Sequence, residues 1–125
     1  MKTIAQTLAI LLLFTFAGCS PAVDRQLTIS DFREALREAG LPVGEPEEMF
    51  YEMVQASDGA ALPVGARSIE VYQYDTTIRS GKEAHDAIRE GGLMGRRVIA
   101  HENLILLPAP DHEHWTEILA VFESL

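Results

Sequence analysis

Apolar side chains recur along the chain with two different periods, and each change of period marks an element. Phe32, Ala35, Leu36 and Ala39 stand at i, i+3, i+4 and i+7, which places them on one face of a helix. Arg33, Glu34, Arg37 and Glu38 fill the other sides. Thr28 precedes this run with Asp31 three residues on, a capping-box pattern, and Leu27 and Phe32 are spaced as a hydrophobic staple. Gly40 and Pro42 end the helix. Residues 49–55 mix apolar and aromatic side chains around a single charge and read as a strand; a looser stretch follows over 56–66. Residues 68–75 alternate Ile69 and Val71 with Glu70 and Tyr72, the period-two signature of a strand with two different faces.

The second half runs through similar elements. Ser80 and Glu83 form another capping-box pattern, ahead of a modest apolar face of Ala84, Ala87 and Ile88 that suits close packing on a sheet. Gly91 and Gly92 end that helix. Residues 96–100 and 104–107 read as two strands across a tight turn at 101–103, the second apolar enough to be a central strand. After Pro108 and Pro110, Asp111 is placed to cap a last helix whose buried face repeats Trp115, Ile118, Leu119 and Phe122; His112 falls outside that face. The element order is therefore α-β-β-α-β-β-α. Short links between neighbouring strands favour antiparallel hairpins, so the expected fold is α+β, a small antiparallel sheet of about four strands with helices packed on one face, forming a single domain over 27–125.

Upstream of this domain the pattern changes. Lys2 is followed by an apolar stretch over 8–17 and then by Gly18, Cys19 and Ser20. The run is about half of the roughly 20 residues a membrane-crossing helix needs, which fits a cleaved export signal better than a permanent span. Phe16-Ala17-Gly18-Cys19 resembles the lipobox of bacterial lipoproteins, with Phe16 where Leu is usual. The resemblance implies a signal peptide over 1–18 and two or three acyl chains on Cys19, the only cysteine. One acyl chain binds membranes marginally, and stable anchoring takes two. Residues 19–26 are then the lipidated cysteine and a tether reaching roughly 20 Å. Ser20 in place of Asp implies the outer membrane, facing the periplasm, in a Gram-negative cell. The region beyond also looks like small uncharacterised bacterial lipoproteins of one α+β domain, on residues 69–75 (IEVYQYD), 84–88 and 103–107 (NLILL). That likeness implies compartment and fold, and brings no activity with it.

Charge narrows the partners. Without residues 1–18, nine Lys and Arg stand against nineteen Asp and Glu, a formal charge of −10 on 107 residues. Such a chain is expected to be repelled by nucleic acid and by anionic head groups. A lone cysteine forms no internal disulfide, so its position beside the cleavage point is its informative feature.

Asp111, His112, Glu113 and His114 are the one cluster of metal-ligand side chains. Residues two apart on a helix point about 200° away from each other, so His112 and His114 share a metal only in an extended segment, while Asp111 and His114 make the better helical pair. His101 or Glu102 would have to complete such a site. The competing reading is a capped, solvated helix start. Gly91, Gly92 and Gly95 beside Arg96 and Arg97 lead out of a helix into a strand, the reverse of a phosphate loop, and read as helix termination. Tyr51, Tyr72 and Tyr74 either line a groove or pair across strands. No Gly-x-Ser-x-Gly elbow or His-Glu-x-x-His motif is present. The expectation is a non-enzymatic envelope lipoprotein without a cofactor. It binds membrane lipid through Cys19 and an envelope protein through its domain; the alternative is a metal module on Asp111, His112 and His114.

Overall fold

The computed structural model describes residues 25–125. The signal peptide expected over 1–18 and the lipidation site Cys19 lie outside the described residues. Three helices, α1 (Ile29–Glu38), α2 (Arg79–Gly91) and α3 (Trp115–Glu123), accompany five strands: β1 (Glu47–Glu48), β2 (Asp58–Val64), β3 (Arg67–Gln73), β4 (Ile99–His101) and β5 (Leu104–Leu106). The strands form one sheet in the order β1-β2-β3-β5-β4, every neighbouring pair antiparallel. The fold is α+β, with one strand more than the pattern predicted.

Both faces of the sheet are apolar, and each is covered. Successive strand residues point to opposite faces, so Leu104 and Leu106 join Leu62, Val64, Ile69 and Val71 on one side, while Ile105 joins Tyr72 on the other. Helices α1 and α3 cover the first face, and Phe32 meets Phe122 edge to face at 5.1 Å between ring centroids. Helix α2, through Ala84 and Ile88, covers the second together with Tyr74, Leu93 and Val54. The single covered face expected from the strand pattern is therefore corrected. The apolar run of β5 leaves no side free for water, and its neighbour β3 carries Tyr72, an aromatic that the alternation placed among the polar positions.

Local sequence signals hold at some element ends and are overridden at others. Thr28 caps α1 in the expected box: its hydroxyl accepts from the Asp31 N–H at 3.0 Å, and the Asp31 carboxylate accepts from the Thr28 N–H at 2.8 Å. The Ser80 box does not form. Helix α2 starts two residues earlier than a Ser80 cap would place it, behind Ile78, with an Arg79–Glu83 ion pair along its first turn. The strand expected over 49–55 is instead a 3₁₀ turn, Tyr51–Val54, and the true strand is β2, inside the stretch that looked irregular. Gly59 explains the exchange. A Cβ there would stand 2.8 Å from both Tyr51 Cβ and a ring carbon of Tyr72, so the bare backbone lets the aromatic turn fold down over β2. Pro63 is tolerated in β2 because its carbonyl is turned away from β3, accepting from the Gly44 N–H at 2.8 Å beyond the two pairs made by β1, so the missing N–H costs no bond to β3.

Candidate functional site

The acidic-histidine cluster lies in the turn ahead of α3, which begins at Trp115 and not at Asp111. Asp111 does not cap the helix; its carboxylate meets the Arg67 guanidinium at 2.8 Å. His112 is 5 % exposed, buried against β3. Its Nδ1 accepts from the His114 N–H at 3.0 Å, so the ring proton sits on Nε2 and is donated to the Arg67 carbonyl, also at 3.0 Å. Both nitrogens are thus occupied, and a metal would have to break one of these bonds. The expectation that His112 lies outside the structural core is corrected: it is a bracket between the β2–β3 hairpin and the head of α3. His114 is half-buried, 3.8 Å from the carboxylates of Glu113 and Glu117. His101 sits at the far end of α3, bonded to the Leu125 carbonyl at 2.8 Å. Among the described residues no group of three or more His, Cys, Asp or Glu side chains could hold a metal ion.

The tyrosines divide. Tyr74 is buried and donates its hydroxyl to the Val54 carbonyl at 2.8 Å, and burial pushes its ionisation well above the ordinary 10.0. Tyr72 is buried beneath the 3₁₀ turn; burial raises it, repulsion from Glu70 adds to this, and Arg96 works against both. Neither lines an open groove. The glycine-rich stretch terminates α2 as its sequence suggested: the Gly92 N–H bonds to Ile88, and Leu93 and Arg96 then exchange two backbone bonds across Met94 and Gly95.

The sequence pattern missed the outward side of the 3₁₀ turn. Val54 points into the second core and Tyr51 packs against it, while Phe50 and Met53 are 86 % and 81 % exposed. Three-residue periodicity produces this division, since 50 and 53 share one side of a 3₁₀ turn and 51 and 54 the other. Together with Glu48, Met49, Tyr51 and Glu52 they line an open groove of about 440 Å³. Its centre is apolar and its rim, with Glu48 and Glu52, is acidic. The signal was present in the sequence, as two large apolar residues three apart beside glutamates, but a strand reading buries one of them. No family model matches this chain, and neither does any curated protein or solved structure.

Proposed function

We propose that the protein is a membrane-anchored envelope lipoprotein, held by acyl chains on Cys19, whose domain is a non-enzymatic binding module for another envelope protein. The observation that carries the binding half is the pair Phe50 and Met53, held out by a turn whose own core residues are fixed beneath it. Large apolar side chains exposed side by side and rimmed by charge mark an interaction surface. The glutamate rim selects a partner with an apolar projection and basic surroundings. The anchoring half rests on the lipobox-like ending at Cys19. The metal alternative is not carried forward, because both nitrogens of His112 are already committed to backbone partners.

A photo-crosslinking residue at position 50, introduced in cells alongside a control at the exposed Ala120, tests the binding half. One discrete product at position 50, lost on Met53→Asp, is expected; identical products at both positions would sink the assignment. Labelling with a palmitate analogue tests the anchor. Label should be present on the natural chain and absent from Cys19→Ser.

A further inference from the structure

The formal charge of the chain conceals an uneven distribution. Between residues 79 and 97, five cations (Arg79, Lys82, Arg89, Arg96, Arg97) face three carboxylates (Glu83, Asp86, Glu90). The rest of the described chain has four cations and fifteen carboxylates. At 100° per residue, Arg79, Lys82 and Arg89 fall within about 80° of one another on the solvent side of α2, opposite Gly81 and Ala84. Glu83, Asp86 and Glu90 share that side, and Glu83 and Asp86 pair with Arg79 and Arg89, so the positive excess is carried by Lys82, Arg96 and Arg97. Among the described residues Lys82, Arg96 and Arg97 make no ion pair. This positive strip is bracketed by two exposed apolar side chains, Ile78 at 53 % and Met94 at 77 %.

Met94 is held outward by its backbone. It occupies the first central position of a two-residue turn, with φ of 49° followed by 76° at Gly95, closed by reciprocal Leu93–Arg96 bonds of 2.9 Å. That conformation favours Asn, Asp or Gly. A large apolar residue there, in strained left-handed backbone two residues ahead of a pair of arginines, has neither a folding advantage nor a solubility advantage.

The chain also joins the domain beside this strip. Gln26 bonds to the Thr76 hydroxyl at 2.7 Å, and Leu27 is bonded by Asn103. Thr76 and Asn103 line a cleft of about 290 Å³ together with Lys82, Asp86 and Arg89. Cys19 and Gln26 are seven positions apart, roughly 23 Å at full extension, while the thirteen residues of α2 measure about 20 Å. An anchor at Cys19 therefore keeps this layer within about one helix length of the bilayer.

We propose that the outer side of α2 and the turn after it, from Ile78 to Arg97, form a lipid-contact face that rests on an anionic phospholipid bilayer. Lys82, Arg89, Arg96 and Arg97 meet head-group phosphates and Met94 enters the interface. The overall acidity of the chain opposes adsorption in any other orientation, so the same charge distribution that attracts one face turns the remainder toward solvent. The 3₁₀ turn with Phe50 and Met53 has glutamates around it and is left for a protein partner. This inference rests on the lipoprotein reading of Cys19.

Acylation blocks the thiol of Cys19, so Met94→Cys in the full-length chain introduces the single labelling site; Ala120→Cys on α3 serves as control. Each protein is extracted in detergent, its acylation is verified by intact mass, and it is labelled with an environment-sensitive fluorophore. It is then reconstituted into vesicles of phosphatidylcholine and phosphatidylglycerol containing nitroxide lipid. Quenching severalfold stronger at 94 than at 120 is expected, falling toward the control when phosphatidylglycerol is omitted or when Lys82, Arg89, Arg96 and Arg97 are all changed to Gln. Equal quenching at the two positions, or quenching at 94 indifferent to phosphatidylglycerol, overturns the proposal while leaving the anchor intact. An unmodified Cys19 in the mass spectrum instead overturns the lipoprotein reading, and this inference with it.

Discussion

The side-chain amide of Asn103 holds Leu27 by both of its backbone groups: Oδ1 accepts from the Leu27 N–H at 2.7 Å and Nδ2 donates to the Leu27 carbonyl at 2.8 Å. The same Nδ2 donates to the Tyr74 carbonyl at 2.9 Å. One buried side chain, 76 residues from Leu27 in sequence, thereby imitates a strand partner and pins the start of the domain to the end of β3. Leaving buried backbone groups unpaired costs about 1–3 kcal/mol each. Asn103→Ala should therefore destabilise the protein by about 3 kcal/mol in urea titration. A loss below about 0.5 kcal/mol, the range of ordinary surface changes, would show that water replaces the amide.

His112 and Trp115 make a second comparison. Trp115 is only partly buried at the margin of the first core, whereas His112 bridges two segments from a buried position. Replacing His112 with Ala should cost about 2 kcal/mol or more, since it strands the His114 N–H and the Arg67 carbonyl. A silent substitution would mean that the helix head is held without it. Added zinc should leave the melting midpoint of the unaltered protein in place, because no ligand set offsets the loss of those bonds.

Gly91 and Gly92 are adjacent but should respond in opposite directions to alanine. A Cβ at Gly92 collides with the Arg96 carbonyl oxygen and must sit at φ of 81°; at Gly91 it meets nothing within 4 Å. Gly92→Ala should destabilise by about 1–3 kcal/mol. Gly91→Ala, at the end of α2, should be neutral or stabilising by up to about 1 kcal/mol. Thermal melts of the two variants decide the matter, and similar shifts would contradict the cap geometry.

Alkaline pH should weaken the fold through Tyr74. Its folded-state ionisation lies above the ordinary 10.0, chiefly through burial, so the folded protein binds a proton that the unfolded chain releases. The corresponding stability is complete below pH 10 and is lost as pH rises beyond it; one unit above, the loss is about 1.4 kcal/mol. Tyr72 is shifted in the same direction and adds to the slope. Tyr74→Phe should start about 1 kcal/mol lower at neutral pH, having lost its bond to Val54, yet decline less steeply above pH 10. Parallel decline in the two proteins would assign the alkaline loss elsewhere.

Phe50→Ser and Met53→Ser should leave urea midpoints within about 0.5 kcal/mol of the natural protein, since neither side chain contributes to a core. Substantial destabilisation would make the turn structural and withdraw it as a docking surface.

Sequence periodicity by itself determined the three helices, β3, the hairpin of β4 and β5, and the α+β class. Each of these is specified locally: by a cap such as Thr28, by Phe32 and Leu36 at helical spacing, or by the alternation around Ile69 and Val71. What it did not determine is every feature in which a residue's environment comes from a distant segment. Tyr51 and Val54 look like strand residues because aromatic and β-branched side chains favour strands; only Gly59, opposite them in space, makes room for a turn. His112 looks like a metal ligand until the Arg67 carbonyl, 45 residues away, accepts a hydrogen bond from its Nε2. Net charge is likewise a sum over the chain; the cations of 79–97 stand together in the sequence, but it is the turn back after α2 that brings Arg96 and Arg97 beside Arg89. Local pattern fixes which segments are helix or strand, because those preferences act within a few residues. The partners of a buried polar group, and the surfaces left exposed, are decided by contacts that exist only once the sheet has assembled.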